Sequence, residues 1–178
     1  DVGKPFCFLR DGNFYAHAEE GARLTENILT RLKAPVKLTR ETAELVRLHM
    51  RDLDLRMKEP KVRRDLAAIG PLLPKLFALK QADYSACKDD TSPAPTVVKW
   101  ERILRKMQRE GAPFSLAELK IDGNDLKRLG IPPRLIGSVL ARLFDECVLD
   151  GAKNRPAALG ERARSIAERL QEREAGPQ

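Results

Sequence analysis

The sequence of 178 residues predicts an all-α, multi-helix protein. Only 5% of its residues are aromatic, and Leu, Ala, Arg, Lys and Glu dominate, a composition that favours helices over strands. Hydrophobic residues make up 42% and charged residues 33%, which is typical of a folded chain and not of a disordered one. The length suffices for one helical domain or two small ones, so we expect few strands or none.

The first half of the chain is predicted to open with a loop over residues 1–16, in which Asp11-Gly12-Asn13 forms a turn. Apolar residues then recur at helical spacing in four segments. These segments cover residues 18–33, 39–50, 62–69 and 72–85. Pro35 is predicted to end the first helix, and Thr39 to cap the second. The apolar stripe of the second helix places His49 on its buried side.

The segment 88–95 combines charges, small polar residues and two prolines, which is typical of a short linker. We therefore predict two domains, residues 1–90 and 91–178. In the second domain, Thr96 is predicted to cap a helix that ends at Gly111. Ser115 and Glu118 have the spacing of a capping box. The remaining features are turns at 123–125 and 130–133 and helices over 135–149 and 156–171.

The net charge and the cysteines indicate which binding partners and which cellular compartment to expect for this protein. The net charge of +7 and the pI near 9.5 favour contact with a polyanion, although a solvated charged surface gives the same numbers. The three cysteines, Cys7, Cys87 and Cys147, are far apart and indicate neither a disulfide framework nor a zinc site. No apolar run reaches the length of a membrane span, so we expect a cytoplasmic protein with no membrane partner.

Several segments of the first half carry a family resemblance. They are Asp1-Val2-Gly3-Lys4-Pro5, Phe14-Tyr15-Ala16-His17, Glu20-Gly21-Ala22, the run from Leu45 to Met50, and Ala82-Asp83. In this order they resemble the HD region of bacterial CCA-adding enzymes and poly(A) polymerases. The first segment resembles an HD signature that lacks its histidine, and the chain opens on Asp1 instead of methionine. We therefore expect a fragment with a truncated HD-like region.

The resemblance implies a metal-binding role for four residues of this region. Asp1 and Asp83 match two of the four family ligands, and His17 and His49 match positions that join a second metal in some HD proteins. The other two family ligands would precede this sequence, so we expect an incomplete divalent-metal site. Each histidine also fits a hydrogen-bonded core position. The alternative function is an HD-type, metal-dependent phosphohydrolase that acts on nucleotides or phosphate esters.

A second resemblance lies in the other half. Ile121-Asp122-Gly123-Asn124-Asp125-Leu126, then Leu129-Gly130-Ile131 and Ile136-Gly137, resemble the C-terminal tRNA-contacting module of CCA-adding enzymes. Helix starts rich in glycine would offer amide groups to phosphates, and nearby basic side chains would add charge. The glycines also fit tight turns and close packing, and Asp125 fits a helix cap. The predicted RNA-binding residues are Lys120, Gly123, Asn124, Lys127, Arg128, Arg134 and Gly137.

Together the two resemblances imply the C-terminal part of a tRNA nucleotidyltransferase, an HD-like region packed with a helical tRNA-binding domain. Such a part would position the acceptor and TΨC arm of tRNA for CCA addition by an absent head domain that uses CTP, ATP and Mg²⁺. Alone it is expected to be inactive, and no catalytic residue is predicted. The pair Asp52-Leu53-Asp54 follows a helix and lacks an upstream Gly-Ser turn, so it is not interpreted as catalytic. A structural module for protein contacts is a third hypothesis, and the oligomeric state and the nucleotide added stay open.

Overall fold

The computed structural model describes residues 8–10, 13–88 and 91–174 of the chain. Most of these residues lie in α-helices, and the predicted all-α class is confirmed. In chain order the helices are α1 (His17–Arg31), α2 (Val36–Leu48), α3 (Glu59–Ile69), α4 (Leu73–Lys88), α5 (Pro95–Glu110), α6 (Gly123–Arg128), α7 (Pro133–Leu149) and α8 (Pro156–Glu174). Short 3₁₀ turns lie at Gly70–Leu72, Leu116–Glu118 and Gly151–Lys153.

The opening segment differs from the predicted loop. Strands β1 (Phe8–Arg10) and β2 (Asn13–Tyr15) pair antiparallel, with Phe8 opposite Tyr15 and Arg10 opposite Asn13. Only two residues separate the strands, and a two-residue connection favours a local hairpin. Of the predicted turn, Asn13 lies in β2, and the other two residues fall outside the described part of the chain.

Backbone contacts divide the chain into two compact units. The first comprises residues 1–57 and 71–99, and the second comprises residues 58–70 and 100–178. Relative to the division predicted at residue 90, the segment 58–70 groups with the second unit and the segment 91–99 with the first. The domain boundary at residue 90 stays a prediction.

In the first unit α1 packs chiefly on α2. The helices approach closely at Gly21, where an added Cβ would lie 3.1 Å from Val46 Cγ1. The predicted apolar face of α1 is only partly covered, because Ala22 is its one buried residue in the described structure. Leu32 is 67% exposed and Ile28 is 39% exposed. The helix predicted from the periodicity is present, and much of its apolar face is exposed within the described structure.

Prolines start two helices for which threonine caps were predicted. Pro35 is the N-cap residue of α2, and Thr39 lies in the first turn, where its Oγ1 donates to the Pro35 carbonyl oxygen at 3.3 Å. Likewise α5 begins at Pro95, and the Oγ1 of Thr96 donates to the Asp52 carbonyl oxygen at 3.3 Å. The fixed φ of proline suits the start of a helix, and no side chain caps α2 at Pro35.

The core of the second unit lies between α6, α7 and α8. Its fully or nearly fully buried members are Leu119, Ile121, Leu126, Ile131, Leu135, Val139, Leu143, Cys147, Leu159, Ala163, Ile166 and Ala167. The predicted apolar face of α7 is confirmed at Val139, Leu143 and Val148, which are buried. Burying these side chains stabilises the unit by about 1.5–3 kcal/mol for each large aliphatic group.

A buried arginine ties α3 to the end of α7. Arg63 is 3% exposed, and its Nη1 donates to the carbonyl oxygens of Val148 at 3.3 Å and Leu149 at 3.1 Å. Its Nη2 donates to Glu110 at 2.7 Å. The guanidinium thereby satisfies carbonyl groups that a helix C-terminus leaves without partners.

The loops of the second unit correct two predictions. Ser115 and Glu118 do not form a reciprocal capping box: Glu118 accepts from the Phe114 amide at 3.0 Å and from the Ser115 hydroxyl at 3.1 Å. Residues 123–125, predicted as a turn, are the first turn of α6, which Asp122 caps. The turn before α7 is confirmed at Gly130, whose φ of 79° favours glycine.

Candidate functional site

A pocket of about 320 Å³ lies in the first unit, between the start of α1, the end of α2, α4 and the start of α5. Three of the four predicted metal residues, His17, His49 and Asp83, line it. The fourth, Asp1, lies outside the described residues. The family motifs therefore identified side chains from three separate helical regions that share one pocket.

The two histidines face each other edge to face. Their ring centroids are 5.7 Å apart, with an interplanar angle of 72°. His49 is the C-cap residue of α2, and its Nδ1 lies within hydrogen-bond distance of the Val46 carbonyl oxygen. Burial lowers the pKa of His49, an effect that the Val46 hydrogen bond and the charge of Asp83 oppose. The net effect is a lowered pKa, which favours the neutral imidazole.

The described donors do not by themselves form a metal centre. Within residues 8–10, 13–88 and 91–174, no group of three or more His, Cys, Asp or Glu side chains is placed to hold an ion. The buried amine of Lys80 lines the same pocket and would oppose a bound cation. The metal role of Asp1, His17, His49 and Asp83 stays a prediction.

Lys80 lines the pocket, and its amine binds backbone carbonyl groups. Its Nζ donates to the carbonyl oxygens of His49 at 2.8 Å and Arg51 at 2.6 Å, just beyond the C-terminus of α2. Burial lowers the pKa of Lys80 to about 8, although Asp52 and Asp83 favour its charged form. A cation at these carbonyls stabilises the end of α2, where the helix dipole is negative.

The loop after α2 is fixed by a buried ion pair. The side chain of Asp52 is fully covered, accepting from Lys99 Nζ at 2.7 Å and from the Met57 amide at 2.8 Å. Lys99 also donates to the carbonyl oxygens of Leu55 at 2.8 Å and Met57 at 2.7 Å. This geometry gives Asp52 a structural role, in keeping with the non-catalytic interpretation of the pair with Asp54.

In the second unit, the predicted RNA-binding residues lie around α6 and the first half of α7. Asp122 Oδ1 accepts from the amides of Asn124 and Asp125, each at 2.8 Å, and Asp125 accepts from the Asp122 amide at 2.9 Å. The hydrogen bond from the Asp122 backbone and the pairing with Arg128 hold the pKa of Asp125 below its ordinary value. The amides of Asn124 and Asp125, expected to be free for phosphate, are therefore occupied.

Most of the predicted side chains here are accessible. Lys120, Asn124, Lys127, Arg128, Arg134 and Gly137 are exposed, whereas Gly123 is half-buried, with an added Cβ 3.4 Å from Ile136. Arg128 pairs with Asp125 at 2.5 Å. No acidic residue occurs between Asp125 and Asp145, so this stretch is uniformly basic.

One face of α7 is exposed and carries small and basic side chains. It consists of Arg134, Gly137, Ser138, Ala141 and Arg142, which recur at helical spacing. An added Cβ at Gly137 would meet no atom within 4 Å, so packing inside the chain does not require glycine there. The family motifs did not identify Arg142. It lies eight residues after Arg134, a spacing that places both side chains on the same face of a helix. We call these five residues the α7 face.

None of the helices in the described part of the chain is both long and apolar enough to cross a bilayer.

Comparison with known proteins gives one informative relative. Neither a family model nor a solved structure matches the chain. The chain is 32% identical over 155 residues to the A-adding tRNA nucleotidyltransferase of Deinococcus radiodurans. The match covers 82% of this chain but 35% of the relative, so the chain spans about a third of that protein's length. The resemblance to tRNA nucleotidyltransferases is confirmed at this level: the chain is similar to part of such an enzyme.

Proposed function

We propose that this chain docks tRNA for nucleotide addition at its 3′ end. It would act as the C-terminal part of a tRNA nucleotidyltransferase and position the acceptor and TΨC arm for CCA addition. The chemistry would lie in a head domain outside this sequence, using CTP and ATP with Mg²⁺. The observation that carries the proposal is the similarity to a tRNA nucleotidyltransferase over 82% of the chain, an extent that includes residues of both units.

The electrostatics of the second unit support an RNA contact on the α7 face. Lys127, Arg134 and Arg142 are exposed within a stretch that contains no acidic residue. Arg64, by contrast with Lys127 and Arg142, is neutralised by Asp145, at 2.5 and 2.8 Å. Basic side chains that remain accessible attract phosphates and release counterions on binding.

The shape of the α7 face also suits an RNA backbone. Gly137, Ser138 and Ala141 present little side-chain bulk between Arg134 and Arg142, so a phosphate backbone has room to approach the helix closely. Duplex RNA is recognised mainly through its shape, phosphates and 2′-hydroxyls, because its deep major groove excludes side chains. A basic helix surface with small side chains fits that mode of recognition.

The test is binding of labelled tRNA across a salt series, with Lys127→Glu/Arg142→Glu as the variant. Neither side chain forms an ion pair with the rest of the described structure, whereas Arg128 pairs with Asp125 and is less suitable. Removing two phosphate contacts should weaken binding at every salt concentration and reduce the slope of log affinity against log salt by about 1 to 2.

The matched control is Arg164→Glu/Arg169→Glu, which makes the same change in net charge at exposed positions of α8. A specific contact on the α7 face predicts that this control loses much less affinity than the variant. Equal loss in both double variants would show that net charge alone governs the affinity. Absence of tRNA binding by the unaltered chain at low salt would refute docking by this chain.

A further inference from the structure

We propose that the pocket of the first unit binds a planar heteroaromatic molecule without a phosphate, namely a nucleobase or nucleoside. This site is independent of the proposed tRNA docking and requires no metal. The volume of about 320 Å³ lies at the lower end of the range for small-molecule sites, which is about 300–1,000 Å³. A base or a nucleoside fits this size better than a larger cofactor.

The loop that forms one wall is held in a costly conformation. Asp52 and Leu55 both have a φ of 61°, in the left-handed region that non-glycine residues rarely adopt. Each such residue costs roughly 1–3 kcal/mol and persists only where surrounding contacts impose it. The bonds from Lys99 and Thr96 supply those contacts.

The effect of this conformation is to present two leucines at the pocket. Leu53 is 47% exposed and Leu55 is 43% exposed, and both line the pocket. A loop that only connected α2 to α3 would gain stability by covering these side chains or by relaxing its backbone. In this conformation the two leucines remain exposed at the pocket. A flat apolar ligand that enters the pocket would bury their side chains.

Other residues that line the pocket provide rings and hydrogen-bonding groups. His17, His49 and Tyr84 line the pocket, and aromatic rings favour offset or edge contacts with a flat heterocycle. The carboxylate of Asp83 accepts hydrogen bonds and so suits the amino or ring N–H groups of a base. His49 Nδ1 lies on the Val46 carbonyl oxygen and so carries its proton, which leaves Nε2 as an acceptor for an N–H or O–H group of the ligand.

The buried cation does not favour a phosphate. Lys80 Nζ is directed to the carbonyl oxygens of His49 and Arg51, at 2.8 and 2.6 Å, and those bonds would have to break for it to bind an anion. Leaving buried carbonyl groups without partners carries a desolvation cost. The pocket therefore selects the base and the sugar of a nucleotide, not its phosphates.

The test is isothermal titration calorimetry of the full chain with adenosine and with guanosine, in the presence of EDTA. We expect saturable binding of at least one of them. Leu53→Arg should weaken it about tenfold or more by filling the pocket, and Asp83→Asn should weaken it by removing the charged acceptor. Leu116→Arg is the matched control, because Leu116 is 54% exposed in the other unit, and its affinity should be unchanged.

Several outcomes would overturn the proposal. These are the absence of a binding isotherm at millimolar nucleoside, equal affinity in Leu53→Arg, and binding that appears only when Mn²⁺ replaces EDTA. A nucleoside monophosphate that binds about tenfold more tightly than its nucleoside would refute the selection against phosphate. Circular dichroism melts of each variant establish that a lost isotherm reflects the pocket and not unfolding.

Discussion

Substituting Gly137 by alanine should make the chain more stable and make it bind tRNA less well. Gly137 is exposed within α7, and an added Cβ meets no atom within 4 Å. Glycine in a helix interior destabilises by roughly 0.5–1 kcal/mol relative to alanine. Gly137→Ala therefore gains that amount without a steric cost, which corresponds to a rise in Tm of about 1–4 °C for a chain of this size.

The same methyl group should interfere with RNA if the α7 face contacts a phosphate backbone. We expect a loss of tRNA affinity that grows with side-chain size from Gly137→Ala to Gly137→Leu, while both variants stay folded. Urea unfolding measures the stability, and filter binding of labelled tRNA measures the affinity. Ser138→Ala is the control, because it adds no bulk at the neighbouring exposed position.

Opposite signs in the two assays are the informative result. A structural role for Gly137 predicts that stability and binding fall together, since misfolding would reduce both. Unchanged tRNA affinity in Gly137→Leu would refute the argument that the α7 face is kept free of bulk for RNA, even if Gly137→Ala raised the Tm as expected.

Three further predictions concern stability. Gly151→Ala should lower the free energy of unfolding, measured in urea, by about 1–3 kcal/mol, because an added Cβ would lie 2.5 Å from the Ala112 amide nitrogen and 2.6 Å from the Glu110 carbonyl oxygen. Arg63→Met should cost about 3 kcal/mol in thermal melts, since Glu110 loses a buried partner. Burial lowers the pKa of Lys80 from 10.5 to about 8, so the unfolded chain binds more protons between these values and stability should rise with pH through that window. Lys80→Met should remove that part of the rise in pH-dependent unfolding.

The sequence predicted helices well where one apolar face is covered by the same unit. The face of α7 was identified from its spacing, and Val139, Leu143 and Val148 are buried. The face of α1 followed the same rule, yet Leu32 is 67% exposed. Periodicity reports which residues share a face, but it does not report whether another element covers that face.

Helix starts were less predictable because two local rules compete. Thr39 and Thr96 have side chains that suit an N-cap, but Pro35 and Pro95 precede them and set the helix start. A proline lacks the N–H that a first turn would leave without a partner, so it starts a helix as readily as it ends one. Sequence reasoning treated these prolines as terminators or linker residues.

The sequence predicted only some of the residues that line the candidate pocket. Family motifs identified His17, His49 and Asp83, which line the pocket. Nothing local indicated Lys80 or Leu53, because their positions depend on bonds between residues far apart in the chain. Lys80 binds carbonyl groups 29 and 31 residues away, and the loop with Leu53 is fixed by Lys99, 47 residues from Asp52.

The two proposed sites belong to different compact units, and this allows each to serve as the control for the other. Arg142 and Gly137 lie in the second unit, whereas Leu53 and Asp83 lie in the first. A substitution that unfolds the chain removes tRNA binding and nucleoside binding together. A substitution that damages one site by charge or bulk removes one activity and leaves the other. Retention of nucleoside binding in Lys127→Glu/Arg142→Glu, and of tRNA binding in Leu53→Arg, would therefore exclude unfolding of the whole chain, and the circular dichroism melts would exclude unfolding of the substituted unit alone.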